Sequence, residues 1–236
     1  MKKAAQDKTR SQSYTKILRD ISAAVQRSGA EPDSNFALKV ALAKSRKFNV
    51  PRDNVEKAIK RGLGGTEADW ADVNYEGYGP EGVAIFVEAV TNNPTRTIAN
   101  IRLGFRCGDG SLGKEGCLQF VFERKSVFTL KDEDIDIDQL TMDLIDAGAE
   151  DVGSEDGFIT ITAPVDSYGD VHKKLDEMKI PIEDSALERV PLVMKEVADK
   201  SNYARILKIV AKLEDDEDVQ HVYHNMEFNE KFSEES

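Results

Sequence analysis

Gly108, Gly110 and Gly113, in the stretch GDGSLG, carry the G-x-G-x-x-G spacing with which a chain lays backbone amides against a pyrophosphate. That chemistry needs a strand before the glycines and a helix after them. Here the order is reversed, so the stretch reads as a helix-to-strand turn. RGLGG (61–65) lacks the Gly-Lys-Ser/Thr ending of a phosphate-binding loop and reads as a helix stop. DIDIDQ (134–139) begins like a calcium loop, but Gln139 stands where glycine makes the sharp turn and Ile145 where a bidentate Glu belongs. EDDED (214–218) could collect a hard cation weakly, but a run of like charges between a helix and a strand reads as solvated. His221 and His224 are three apart in a strand pattern, which puts them on opposite faces and prevents joint zinc ligation. His172 has no evident partner, and no set of acid, base and nucleophile can be named. The expectation is a protein that is not an enzyme, with no metal, no cofactor and no small-molecule substrate.

Cations are the residues left that could do chemistry, as phosphate ligands. The chain has a formal net charge of -12, yet residues 1–65 hold 15 Lys and Arg against 6 Asp and Glu, and the remainder 17 against 38. Such asymmetry points to polyanion contact by the basic part, with the acidic part keeping the molecule soluble. The candidate contact residues are Lys2, Lys3, Lys8, Arg10, Lys16, Arg19, Lys44, Arg46, Lys47, Arg52, Lys57, Lys60 and Arg61. In VPRDNVEKAIKRGLGG, at about 100° per residue, Val55, Ala58 and Ile59 share one side and Lys57, Lys60 and Arg61 the opposite one. The alternative is an ordinary solvated face, because Asp53 can pair with Lys57 and Glu56 with Lys60 at i,i+4. Two connections add candidates. NYEGYGP (74–80) offers Tyr75, Tyr78, Gly79 and Pro80, with aromatics that stack on bases or line a protein contact; the alternative is a packed inter-domain linker. In TNNPTRT (91–97), Asn93 turns the chain, Arg96 has the planar guanidinium that holds a phosphate, and Thr97 follows it. Equally, this is a helix start with Thr95 as cap.

The elements that position these residues follow from spacing. At 236 residues the chain exceeds one usual domain. Its 32% charged residues, mean hydropathy of -0.47 and lack of a long apolar run argue against a membrane protein, and the basic start leads into no secretory signal, so cytoplasm is the expectation. Cys107 and Cys117 are the only cysteines, expected as reduced thiols. Helices are predicted over about 11–27, ended by Gly29, over 35–48 after the capping types in EPDSN, and from Pro51 to the glycines at 62, 64 and 65. From Asp72 onward strands alternate with helices: a strand at 81–90, a helix at 95–107 and a hairpin-like pair at 116–130. A second set follows, with a helix at 136–147, strands at 149–153 and 157–163, a helix at 166–179 and a strand at 183–190. A helix at 201–213 and a strand in DVQHVYHN close the chain. The outer strand set is expected to recruit the terminal helix and strand, which makes the middle set an insertion. The expected boundaries are 1–70, then 71–131 with 196–236, and 132–195 inserted.

KAAQD, NVPRDNVEKAIKRG, YEGYGPEGVA, TNNPTRTIANIR, GSLG and EDDEDVQHVYHN, in that order from about Lys3 to Asn225, together resemble the YebC/PmpR family, which includes mitochondrial translational activators. The resemblance implies an α+β multidomain fold: an N-terminal three-helix bundle followed by two ferredoxin-like α+β domains, one inserted in the other. It also implies a nucleic-acid partner, either DNA for a transcriptional regulator or ribosomal RNA for a translation factor on the ribosome, with no enzymatic activity. Two departures are visible: this chain begins after the family's short basic, Trp-containing leader, which lowers its expected affinity, and Glu81 stands where glycine is usual after GYGP, which disfavours anion contact there. A separate reading of the charge asymmetry has the basic domain dock on the acidic domains of a second copy. The oligomeric state is left open.

Overall fold

The structure, a computed structural model, describes residues 2–64, 70–133 and 135–233; the side chains of residues 2–10, Phe36, Glu230 and Ser233 lie outside that description. Gly65 and Asp134, named in two of the motifs above, are likewise outside the described residues.

Two compact units make up the chain, residues 1–118 with 194–236, and residues 119–193. The first unit opens with three helices, α1 (Lys2–Ser28), α2 (Phe36–Lys47) and α3 (Arg52–Leu63). Ile17, Ile21, Ala24 and Val25 recur on one stripe of α1 and are buried against Leu38 and Ala41 of α2 and Ala58 of α3. Gly29, at φ +83°, ends α1 with its N–H donating to the Val25 carbonyl at 2.8 Å. The cap of α2 is Asn35: its Oδ1 accepts the Leu38 N–H at 3.1 Å, while its Nδ2 donates to the carbonyls of Ala24 and Gly29, both at 2.8 Å. One buried side chain thus both starts α2 and ties it to the end of α1.

Gly62 is not an exit from α3. It lies inside the helix, where a Cβ would stand 2.6 Å from the Ser22 carbonyl oxygen and 2.7 Å from Val25 Cβ. Its missing side chain lets α3 close on α1, a packing role that a turn-based reading of glycine overlooks. Ser22 marks the same approach, its hydroxyl 2.9 Å from the Ala58 carbonyl. Gly62→Ala is expected to lower stability by about 1–2 kcal/mol in urea unfolding, because overpacking outweighs the roughly 1 kcal/mol that alanine gains in helix propensity.

The rest of this unit is a four-stranded antiparallel sheet of β1 (Ala71–Tyr78), β2 (Ala84–Thr91), β3 (Ser111–Leu112) and a strand near the C-terminus, Val219–His224, in the order β3-β1-β2-C-terminal strand. On one face lie α4 (Pro94–Arg106) and a helix over Lys200–Glu214, with Ile85, Val87, Ile101, Phe105, Ile206, Ile209 and Leu213 in the core. NYEGYGP is therefore not a loop at its tyrosines: Tyr75 and Tyr78 belong to β1. Val73, Tyr75 and Gly77 alternate toward the helices, and Gly77 is required because a Cβ there would lie 2.6 Å from the Phe105 ring. The third inward residue of this strand has no side chain, which hides its alternation in the sequence.

The second unit is built from β4 (Phe122–Lys131), α5 (Ile137–Ile145), β5 (Asp151–Glu155), β6 (Phe158–Pro164), α6 (Tyr168–Glu177) and β7 (Ile182–Pro191). Its antiparallel order, β5-β6-β4-β7, with the connectivity βαββαβ, is ferredoxin-like. Phe128, Leu130, Ile159 and Ile161 meet Leu140, Leu144, Val171 and Leu175 in its core. The spacing places β4 in the outer set as half of a hairpin over 116–130. Instead it is the central strand here, pairing with β6 and β7, so this unit begins near residue 119 rather than 132. Residues before it form turns held by Glu76, whose buried carboxylate accepts the N–H groups of Gly116 and Leu118 at 2.8 and 2.6 Å. The chain returns to the first unit for α7 (Lys200–Glu214), β8 (Val219–His224) and a final turn, α8 (Glu230–Ser233). The first sheet differs in connectivity from the second, running ββαβ before the interruption and αβ after it.

Candidate nucleic-acid interface

Ala58 is buried, and Val55 and Ile59 pack half-buried on the bundle core, so the other side of α3 is forced outward. Lys57, Lys60 and Arg61 are exposed on it, and among the described residues none of them has an ion pair. The pairs expected of Lys57 with Asp53 and of Lys60 with Glu56 are absent; Glu56 pairs backward with Arg52, at 3.2 Å. At the end of α2, Lys44 is half-buried while Arg46 and Lys47 are exposed, in the last turn where cations suit the helix dipole. Phe48, 47% exposed, follows them directly. The side chains of Lys2, Lys3, Lys8 and Arg10 lie outside the described residues.

Burial of Asp20 on α1 pushes its pKa up to about 6, against the pull of Lys44 and Arg27 and with a further push from Asp72. The folded protein therefore prefers the protonated acid, and the carboxylate costs stability as pH rises from about 4 through 6. Asp20→Asn is expected to stabilise the protein by about 1–2 kcal/mol near neutral pH, an advantage that vanishes by about pH 4, in urea melts across that range.

Lys16, Arg19 and Arg96 do not belong to the open cationic surface. Asp218, its side chain only 3% exposed, accepts from Arg19 Nη1 at 2.6 Å and Arg96 Nη2 at 2.7 Å, and the Thr97 hydroxyl lies 2.9 Å from its Oδ2. Glu217 takes the other arm of Arg19 at 3.0 Å, and the Arg19 guanidinium sits 5.8 Å over the Trp70 ring. Lys16 donates to the Glu214 carbonyl at 2.8 Å, and burial lowers its pKa. Hydrogen bonding to Asp218 raises that of Arg96. EDDED is thus solvated only in part: Glu214, Asp215 and Glu217 are exposed, but its last residue is a buried counter-ion joining α1, α4 and the α7–β8 turn. Only contacts about 120 to 200 residues apart in the chain define it, and no local signal marks Asp218 among its neighbours. The cap of α4 is Asn93, whose Oδ1 accepts the Arg96 N–H at 3.1 Å, with Pro94 at the first turn; Thr95 is not the cap.

The two candidate loops do not form one site. In the β1–β2 ladder Tyr78 pairs with Ala84 and Ala71 with Thr91, so Gly79 and Pro80 leave one end and Asn93, Arg96 and Thr97 the other, roughly 24 Å away for strands of this length. Tyr75 packs half-buried on the core, Tyr78 donates its hydroxyl to the Cys117 carbonyl at 3.3 Å, and Gly79 is buried. Glu81 takes a left-handed conformation, φ +56°, and accepts from Asn202 at 3.0 Å. GDGSLG is the turn from α4 to β3. Both thiols are free, and among the described residues no group of acidic, His and Cys side chains is arranged to hold a metal ion. No described helix is long and apolar enough to cross a membrane.

A family model for the TACO1/YebC protein N-terminal domain matches residues 1–65, and one for the TACO1/YebC second and third domain matches residues 70–226. A "Probable transcriptional regulatory protein" of Parabacteroides distasonis is 41% identical over 214 residues, covering 90% of this chain and 88% of its own. A protein of the same name from Persephonella marina is 41% identical over 236 residues, covering 99% and 94%. The crystal structure of a conserved hypothetical protein of Aquifex aeolicus, Aq1575, superposes with a TM-score of 0.86 at 31% identity, over 96% of this chain and 93% of that one.

Proposed function

The chain belongs to the TACO1/YebC family, and from that premise we propose that it is a non-enzymatic regulator of gene expression that binds nucleic acid through its helical bundle. The observation that carries this reading is the outward side of α3, where Lys57, Lys60 and Arg61 stand exposed without a described carboxylate partner, close in sequence to Arg46. Phosphates are the ligands that such a set fits, and contacts of this kind give affinity that falls with salt and carries little sequence preference. Arg19 and Arg96 are left out of the interface because they already have counter-ions, and Lys16 because it is half-buried with its ammonium on the Glu214 carbonyl.

Duplex DNA is the partner favoured by the relatives, which are named as transcriptional regulators. Ribosomal RNA is the second reading, since a cluster of cations does not distinguish one phosphate backbone from another. Work in the cytoplasm is part of the proposal. Cross-linking in cells followed by sequencing of the attached nucleic acid tests it: enrichment of promoter DNA is the expected result, and enrichment of ribosomal RNA replaces transcription with translation. Recovery of neither, with self-association that disappears in high salt by sedimentation, would assign the cations to a second copy of the chain instead.

A further inference from the structure

The portion of the chain after residue 65 is strongly acidic, yet two of its helices are not. PTRTIANIRLGFR, the whole of α4, has three arginines and no acid, and KSNYARILKIVAKLE, the whole of α7, has four cations and one glutamate. These helices are about 100 residues apart in sequence and lie side by side on one face of the first sheet. They run antiparallel in close contact: a Cβ on Gly104 would lie 2.6 Å from Leu213 Cδ2, one on Gly108 would strike the Arg205 carbonyl, and Cys107 Sγ donates to the Lys208 carbonyl at 3.6 Å. Ile101, Gly104 and Phe105 of α4, with Ile206, Ile209 and Leu213 of α7, face the sheet and are buried. What remains outside is Arg102 and Arg106 on one helix and Lys208 and Lys212 on the other.

All four are exposed, and among the described residues none has an ion pair; Arg205 beside them is held by Asp109 at 3.3 Å. Within each helix the two cations are four residues apart, so they stack one turn above the other, about 6 Å apart. Leu103, 61% exposed, stands on the same outer side. We propose that this two-helix layer is a second phosphate-backbone contact surface for nucleic acid, distinct from the outward side of α3 and carried by Arg102, Arg106, Lys208 and Lys212. The inference rests on the nucleic-acid reading above and extends it from one surface of the unit to two. Charge complementarity selects the partner: four cations without an ion pair among the described residues, two on each helix one turn apart, match a polyphosphate backbone, although Lys212 shares its concavity with Asp215, Asp216 and Glu217 at the end of α7.

The test replaces all four by glutamine in the full chain, so that charge is removed without repulsion being added at the helix ends. Binding is read by fluorescence anisotropy against random-sequence duplex DNA of about 30 base pairs and a folded RNA of similar length, across roughly 50 to 300 mM salt. The expected result is a slope of log K against log salt reduced by roughly 2 to 4, and a Kd raised about 10- to 100-fold near 150 mM salt, alike for every sequence. If that variant loses its fold by circular dichroism, the pairs Arg102→Gln/Arg106→Gln and Lys208→Gln/Lys212→Gln are measured separately, each expected to give about half the slope change. Unchanged slope and Kd in these variants, while substitution of Lys57, Lys60 and Arg61 lowers both, would overturn this inference and leave the bundle's role standing. Absence of salt-dependent binding by the unaltered protein to either probe would remove both readings together.

Discussion

Reversing Lys57, Lys60 and Arg61 together to glutamate is expected to weaken association with duplex DNA or RNA of any sequence by about 100-fold near 150 mM salt, and to flatten the salt slope by roughly 3. Each cation that neutralises a phosphate releases about one counter-ion, so three lost contacts set the slope change, and three new carboxylates facing phosphates add repulsion to the loss. The bundle itself should survive. All three side chains are exposed, and the packing side of α3 is formed by Val55, Ala58, Ile59 and Gly62. A urea midpoint close to that of the parent protein checks this, and the same positions changed to glutamine should give a smaller loss in the same direction. Equal binding by the parent and the reversed protein at moderate salt would mean that this surface does not touch the polyanion.

Asp218→Asn is expected to destabilise the protein by about 3 kcal/mol in urea unfolding, because it leaves the largely buried Arg19 guanidinium and that of Arg96 facing an amide where a carboxylate stood. The loss has little to do with the pairs' net worth. It reflects the penalty of a buried charge without its partner, so adding Arg19→Met to Asp218→Asn should recover part of it, with a coupling of about 1–3 kcal/mol. Nucleic-acid affinity should not fall in the single variant at temperatures where it remains folded, since Arg19, which keeps Glu217, and Arg96 have lost only the Asp218 carboxylate and no cation has been removed. A drop in affinity with intact folding would show that the Arg19–Asp218–Arg96 joint holds the ligand rather than the fold.

Element types were readable because they depend on spacing within a few residues. Ile17, Ile21, Ala24 and Val25 announce the buried stripe of α1, and Val55, Ala58 and Ile59 that of α3, and each appears where the period places it. The alternation of Ile159, Ile161 and Ala163 likewise marks β6 as a strand with one buried face. Where the local signal was a missing side chain, it misled. Gly62 reads as a helix stop and is a packing contact, and Gly77 reads as part of a loop and is the third inward position of a strand. In both cases the meaning of glycine lies in the neighbour that would collide with a Cβ, Ser22 or Phe105, and those neighbours are distant in sequence.

From its residue order alone this chain determined where most helices and strands form, β1 excepted, and that its first 65 residues carry the positive charge. Tertiary structure decided which of the cations are open to a partner. Arg19 and Asp218 are 199 residues apart, and folding brings them to 2.6 Å, which takes one candidate out of the interface. The same folding sets α4 beside α7 and so assembles four cations that no window of the sequence contains. The reason is physical: backbone preference acts over a few residues, whereas neutralisation of a charge depends on distance through space, and only the folded chain sets that distance.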